Sequence, residues 1–284
     1  MVTNEPSVVF LIPFASRKVR TNWPAACKYL QQTIRSIRNS ASQNYRVVIA
    51  GNEAPEVDLE FDSKVHFVSV NNQFPSHANA RTAQRLDKLI KIGTAWTHAK
   101  SKWQSKYVMK LDADDFISSR LVGWLDVNGT EGGYLIRHGW LWHSGARYLI
   151  QRTEYVDRVC GSCLIIRSDL ADRTGPFLTE ADGVALGPEG SSFAMRDHYS
   201  LVPGSGITTL LLNDTHQRYG AQFLYLGHEL HMLPFDGLIY RVSADSLAGL
   251  TGDRTHKFNL RMCLGAIRRT RFITQSLRNE FMLG

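Results

Sequence analysis

The chain has 284 residues, 43% of them hydrophobic and 21% charged, with a net charge of +7. That balance is enough for one large core or two closely joined ones and argues against a disordered chain. It also lacks any apolar run near the ~20 residues of a bilayer-spanning helix. Its four cysteines, Cys27, Cys160, Cys163 and Cys263, are too few and too scattered for a disulfide framework. The opening Met1-Val-Thr-Asn-Glu-Pro-Ser lacks the basic region of a signal peptide, so a cytoplasmic location is expected. Much of the excess positive charge sits late in the chain, at Arg261, Arg268, Arg269, Arg271 and Arg278. It suits nucleotide phosphates, anionic lipid or nucleic acid without choosing among them.

Val8-Val-Phe-Leu-Ile-Pro13 reads as a fully buried strand, because the apolar run is continuous rather than alternating. In the loop after it Arg17 is placed to face a phosphate, whereas Lys18 and Arg20 read as solvated. From Pro24 to about Ser40 the apolar residues fall at helical spacing, with Pro24 expected at N1. Tyr45–Asn52 and Val65–Val70 are further strands, and a helix between strands favours a parallel sheet. A long helix is expected from Asn79 to Lys102. Arg81, Arg85 and Lys88 share one of its faces, and Leu86, Leu89, Ile90, Gly93 and Trp96 line another. Asp87 and Lys88 read either as a surface ion pair or as a carboxylate and an ammonium at a ligand. Gly93 costs ~1 kcal/mol inside a helix, for which close packing would be a compensation.

Tyr107-Val-Met-Lys-Leu-Asp112-Ala-Asp114-Asp115 is the most informative stretch. A buried strand ends in three carboxylates within four positions. Such crowding calls for solvent or a cation, and oxygen ligands of this kind suit Mn2+ or Mg2+. The plainer alternative is a polar loop in which Asp115 or Ser118 caps a helix starting near Ser119. Leu121–Val127 continues as a helix, and Gly132–Arg137 is a strand. Trp140–Ile150 is a hairpin turning at Ser144-Gly145, with Trp140, Trp142 and Tyr148 as either a stacking wall or packing residues.

Cys160-Gly-Ser-Cys163 leads into a strand, Leu164-Ile-Ile, so buried thiols are preferred there over a redox pair or zinc half-site. Phe223-Leu-Tyr-Leu and Gly237–Val242 are strand-like. From about His256 the chain reads as a basic helix, either docked on the domain or lying on an anionic membrane surface.

Taken in order, these stretches resemble the nucleotide-sugar glycosyltransferases of the GT-A superfamily, in particular its bacterial family-2-like (family A) members. The likeness runs from Val8 to Gly249. It is carried by Phe10-Leu-Ile-Pro-Phe, Val47-Val-Ile-Ala-Gly-Asn-Glu, Asp87-Lys-Leu-Ile-Lys-Ile-Gly, the acidic strand end, Cys160-Gly-Ser-Cys-Leu-Ile-Ile-Arg, Gly175-Pro-Phe and Arg196-Asp197-His198.

The resemblance implies an α/β fold, a mostly parallel Rossmann-type sheet flanked by helices with a smaller acceptor-side β/α region. Residues 1–130 would form the donor half, 131–255 the acceptor half of the same domain, and 256–284 the basic C-terminal helix. It further implies donor contacts from Pro13, Arg17, Asn52, Asp87, Lys88, Asp112, Gly161 and Ser162, and metal contacts from Asp112 and Asp114, with Mn2+ or Mg2+ as cofactor. Asp197 is the implied catalytic base, and His198 and Arg241 lie on the acceptor side. Arg196 departs from the Glu-Asp pair usual in the family. The third metal ligand, a histidine in many members, is left open among His216, His231 and His256.

The expected activity is transfer of a sugar, with inversion, from a UDP- or GDP-linked donor to a glycan or lipid-linked acceptor, in bacterial surface polysaccharide synthesis. The protein would be cytoplasmic or peripheral at the inner face of the membrane, touching it through the C-terminal helix. Three alternatives stand beside this. A nucleotidyltransferase also uses paired aspartates and Mg2+, but Phe14-Ala-Ser-Arg lacks its Gly-rich phosphate loop. A basic nucleic-acid-binding protein would fit the charge but shows no binding motif, so no nucleic acid is expected. A degenerate transferase fold serving as a binding subunit, for glycans for example, would account for Arg196.

Overall fold

A computed structural model describes residues 5–58, 61–71, 80–153, 156, 160–172, 219–220, 223, 226–242 and 268–283; the side chains of 80–83 and 85 are outside that description. Asp197, His198, Arg196, His216, His256 and Gly175-Pro-Phe lie outside the described residues, as do the side chains of Arg81 and Arg85.

The order opens with β1 (Val8–Pro13), a 3-10 turn (Arg17–Val19), α1 (Trp23–Arg38), β2 (Tyr45–Gly51), β3 (Val65–Ser69), α2 (Ala80–Lys102) and β4 (Tyr107–Lys110). There follow β5 (Phe116–Ile117), α3 (Leu121–Asn128), β6 (Gly133–Leu135), β7 (Gly139–His143), β8 (Tyr148–Arg152), β9 (Leu164–Arg167) and α4 (Ser168–Ala171). The described remainder holds β10 (His231–Met232), β11 (Leu238–Val242), β12 (Thr270–Phe272) and α5 (Gln275–Phe281).

The larger sheet has the order β10-β6-β9-β4-β1-β2-β3. β1 is paired in parallel on both sides, Val8 opposite Tyr45 of β2 and Tyr107 of β4. All of Val8 to Ile12 are fully buried, as a strand covered on both faces requires. Their burial contributes on the order of 10 kcal/mol before conformational entropy is subtracted. β9 runs against β4 and β6, and the other strands of this sheet share one direction. The chain leaves β1 through α1 to reach β2 on one side, then returns through α2 to β4 on the other. The strand order therefore reverses between β1 and β4, and the crevice at the carboxyl ends of those strands is where an open α/β sheet receives ligands.

The second sheet has the order β12-β8-β7-β11-β5. β5 follows β4 after five residues, so the chain passes from one sheet to the other at the acidic turn. The two sheets do not divide at residue 130, because β6 and β9 rejoin the larger sheet while β5 belongs to the smaller. The expected hairpin forms, β7 antiparallel to β8 with Gly145 at φ +88° in its turn. Trp140 and Trp142 pack with Phe116, Leu149, Ile239 and Phe281 in a second apolar cluster, and Tyr148 is exposed. The two tryptophans are thus packing residues and do not form an open stacking wall.

Several local expectations are corrected. Pro24 occupies the second helical position of α1, after Trp23, with Asn22 capping Ala25 N at 3.0 Å. α3 has no side-chain cap from Asp115; Ser118 Oγ instead accepts from Arg120 N at 3.2 Å. Phe223 is helical rather than extended. The C-terminal segment is not one basic helix. Within residues 268–283 it pairs β12 antiparallel to β8 and then forms the short α5, capped by Thr274. Glu280 accepts from Ser118 Oγ at 2.6 Å and Arg120 Nε at 2.9 Å, and Phe281 is fully buried. Among the described residues, no helix is long and apolar enough to cross a membrane.

α2 packs against β1 and β2, and near its C-terminal end His98 Nε2 lies 3.0 Å from His66 Nδ1 of β3, both rings against Trp103. Burial lowers the pKa of each imidazole, assisted by Lys102 and Arg46 at His66 and by His66 and Lys102 at His98. The unfolded chain then binds more protons than the native one below the ordinary histidine value of 6.5, and stability falls as pH drops through that window. The urea midpoint is therefore expected to fall between pH 7 and pH 5, and less steeply in His98→Gln. Equal slopes in the two proteins would show that the pair carries no such linkage.

Gly93 is not held by close packing: a methyl group built there meets nothing within 4 Å. Gly93→Ala should accordingly stabilise the protein by about 0.5–1 kcal/mol, read as a higher urea midpoint.

Candidate functional site

The site is built on the turn that joins the sheets. After Lys110 and Leu111 the chain turns through Asp112–Asp115, with Asp115 N donating to Asp112 O at 3.2 Å, and enters β5. Three carboxylates are thereby forced together, and the structure gives each a different environment.

Asp115 is fully buried. Its carboxylate accepts from Ser162 Oγ at 2.7 Å, Cys160 Sγ at 3.2 Å and Arg241 N at 3.3 Å. Burial pushes its pKa well above the ordinary aspartate range, with Asp114 and Asp112 adding to the shift. The Cys160 thiol is also pushed well up, by burial and then by Asp115, so it remains a donor. Cys160 and Cys163 are both fully buried, in agreement with the plain reading of that pair. Asp115 is thus neither an open metal ligand nor a helix cap. It ties the acidic turn to the 160–163 loop and to β11.

Asp112 is partly exposed and lies 2.5 Å from Lys88 Nζ. Its backbone N–H donates to Ser162 Oγ at 2.8 Å. Burial works to lower the Lys88 pKa, but Asp112, with Cys160 and Asp115 adding to it, raises it, which keeps the ammonium charged. The neighbouring Asp87 does not join it: its carboxylate takes Lys91 Nζ at 2.7 Å, inside the protein. Sequence neighbours on a helix diverge by about 100°, so Lys88 serves the turn while Asp87 holds the helix. Burial lowers the Lys91 pKa against the effect of Asp87.

Asp114 is the third carboxylate. Burial and then Asp112 raise its pKa, against the opposing charges of Arg20, Arg241 and Lys88. Arg20, expected to be solvated, is therefore the loop arginine whose charge reaches the acidic turn. Arg17, expected at a phosphate, pairs with Glu56 at 3.1 Å on the surface. No sequence signal separated these two arginines.

The remaining candidates have settled places. Pro13 ends β1 beside Ala50. Asn52 Nδ2 donates to Val70 O at 2.8 Å, joining the ends of β2 and β3. Ser162 spends its hydroxyl on Asp112 and Asp115, which makes it a tie within the protein. Gly161 adjoins the cation and the acid: a Cβ there would lie 3.7 Å from Lys88 Nζ and 4.0 Å from Asp112 Oδ2. Its missing side chain leaves a gap beside the charged pair.

Arg241, expected at the rim of an acceptor cleft, is 1% exposed. Its guanidinium lies 4.2, 4.7 and 5.0 Å from the ring centres of Tyr29, Phe116 and Trp142, and donates to Gln32 Oε1 at 2.7 Å. It is a pillar between α1 and the second sheet. Tyr240 beside it is a residue that sequence reasoning missed. Its phenol is pushed up by burial and then by Asp115 and Cys160, and the backbone N–H of the next residue, Arg241, donates to Asp115. His231, one of three candidate ligands, sits on β10 against Glu131, 3.5 Å away.

Among the described residues no group of three His, Cys, Asp or Glu side chains converges on a metal position. Asp112 and Asp114 remain as two hard-oxygen donors just past the carboxyl end of β4. That number fits an ion such as Mg2+ or Mn2+, which keeps waters and takes ligand phosphate oxygens alongside one or two carboxylates.

No family model and no curated protein matches the chain. Among solved structures it is similar to Staphylococcus aureus TarS residues 1–349 in complex with UDP, at 12% identity and a TM-score of 0.43. That likeness covers 84% of this chain and 61% of the other. It is also similar to the glycosyltransferase GlyE of Streptococcus pneumoniae TIGR4, at 10% identity and a TM-score of 0.36, over 81% of this chain and 45% of the other. The chain spans about three fifths of the first structure and under half of the second. Likeness at this level carries no function across.

Removing the Asp115 carboxylate would strand three buried donors, each costing about 1–3 kcal/mol when left unsatisfied. Asp115→Ala should therefore destabilise by about 3 kcal/mol or more in urea denaturation, and Asp115→Asn, which keeps one acceptor oxygen, by less.

Proposed function

We propose that this chain is a glycosyltransferase that takes a sugar from a nucleoside-diphosphate donor, with Mn2+ or Mg2+ held by Asp112 and Asp114. The observation that supports it most is the Lys88–Asp112 pair, 2.5 Å apart, set beside Asp114 at the point where the strand order reverses. A carboxylate pair for a cation and an ammonium for phosphate oxygens are what a departing diphosphate needs. The cation would supply charge neutralisation of that leaving group.

The chain's own residues divide the rest of the work. Lys88 and Arg20 bring positive charge toward the acidic turn, and the gap at Gly161 gives a ligand close backbone approach. Asp115 holds the turn and the 160–163 loop in register. The acceptor oxygen attacks the anomeric carbon, and the carbon–oxygen bond to the diphosphate breaks with its electron pair leaving on the diphosphate. The acceptor proton goes to a base, for which Asp197 is the candidate, giving inversion in one displacement. The acceptor in this reading is a glycan or lipid-linked glycan of bacterial surface polysaccharide synthesis.

Calorimetric titration of UDP and of GDP, each with Mn2+ or with EDTA, tests the reading. Binding of one nucleotide that depends on the metal is expected, weakened at least about tenfold in Asp114→Ala and in Lys88→Ala. Absence of binding by either nucleotide with Mn2+ present, in folded protein, would refute it.

A further inference from the structure

The second sheet ends in a surface that the proposed transferase reading leaves unused. Pairing of β12 with β8 brings together two segments, residues 139–152 and 268–278, that carry Arg147, Arg152, Arg268, Arg269, Arg271 and Arg278 and no Asp or Glu. Arg147, Arg152, Arg268 and Arg269 form no ion pair with a carboxylate among the described residues. Arg152 Nε has no hydrogen-bond partner there either. Burial lowers the Arg152 pKa and the charge of Arg269 lowers it further, the mark of cations brought together without a counter-charge. Asp236, in the loop before β11, accepts from Gln151 at 3.3 Å, is half-buried and is itself pushed up by burial.

At the other end of the same strand pair, Phe272 lies directly opposite Tyr148. Phe272 is 79% exposed and Tyr148 41%. The backbone holds both firmly, through the ladder and through Ile273 N donating to Arg147 O at 3.1 Å, and Ile273 and Leu277 pack inward on the second apolar cluster. The ring of Phe272 therefore projects from an ordered edge.

We infer that this β8–β12 edge is a docking surface for an anionic lipid bilayer, with Phe272 entering the interface and the arginines facing lipid phosphates. The chemistry selects that occupant. Guanidinium groups at one end of the strand pair and a protruding aromatic ring at the other match a negatively charged, deformable apolar surface. A single-stranded nucleic acid would call for rings forming a platform along a groove, whereas a ring exposed to 79% has little protein standing beside it. The inference moves the expected membrane contact from a basic helix to a sheet edge, and it stands whether or not the transferase reading does.

The test is co-sedimentation of the full chain with vesicles of phosphatidylcholine alone or with 30% phosphatidylglycerol, in about 0.1 M and 0.5 M NaCl, where screening is weak and strong. Binding to the anionic vesicles at low salt is expected, lost at high salt and on neutral vesicles. Phe272→Ser should lower the partition coefficient about fivefold, and Arg268→Glu with Arg269→Glu more than tenfold. Both variants change exposed side chains, and unchanged thermal unfolding would confirm that they fold. Equal binding to neutral and anionic vesicles, no binding to either, or binding unaltered in both variants would overturn the inference. So would tight binding of a fluorescent oligothymidylate by protein that ignores vesicles, an outcome that would assign the edge to nucleic acid. Nucleotide titration is a separate measurement, so failure here leaves the donor-site reading untouched.

Discussion

A buried carboxylate with three donors is the constraint on which the arrangement depends. Asp115 stands where the chain crosses from the larger sheet into the smaller, and it receives a hydroxyl, a thiol and a backbone N–H from two other parts of the chain. An acidic group so placed is costly unless its acceptors are filled. Filling them fixes the 160–163 loop and β11 against the turn. The same contacts give the three acids different surroundings. Asp115 is used in holding the structure, Asp112 is matched by Lys88, and Asp114 faces a mixture of like and opposite charge.

α2 extends that order away from the turn. Its buried Lys91–Asp87 pair anchors one side, Lys88 reaches Asp112 from another, and Trp96 Nε1 and Lys100 Nζ both donate to Asp172. Further along, His98 contacts His66 on β3. One helix thus braces the acidic turn, the chain at Asp172 and the outer strand of the sheet. The raised pKa of Lys88 and the lowered pKa of Lys91, three residues apart, show how fully burial and partner geometry decide such values.

Much of this was legible in the sequence where one local pattern suffices. Uninterrupted runs such as Val8–Ile12 and the Val47–Ile49 stretch are readable because a strand buried on both faces has no polar side to disguise it. The hairpin at Ser144-Gly145 was readable because its turn needs a residue tolerant of positive φ. The segment around Arg271 and Phe272 was not, since apolar residues spaced four or five apart imitate a helix. It is a strand because β8 offers an unpaired edge, a fact about a hairpin more than a hundred residues earlier. Arg241, placed on the acceptor side only by the family resemblance, could not be read locally either, because Tyr29, Phe116 and Trp142 enclose it from three distant elements.

By itself the sequence determined the buried strands, the long helix before the acidic turn and the crowding of three carboxylates at one strand end. Those features follow from residue type and spacing within a few turns of chain. The tertiary structure alone decided which carboxylate is buried, which arginine reaches the turn, that Asp87 and Lys88 part company, and that the basic C-terminal stretch completes a sheet. Each of these depends on a partner far away in the chain, and a local pattern cannot specify what will pack against it.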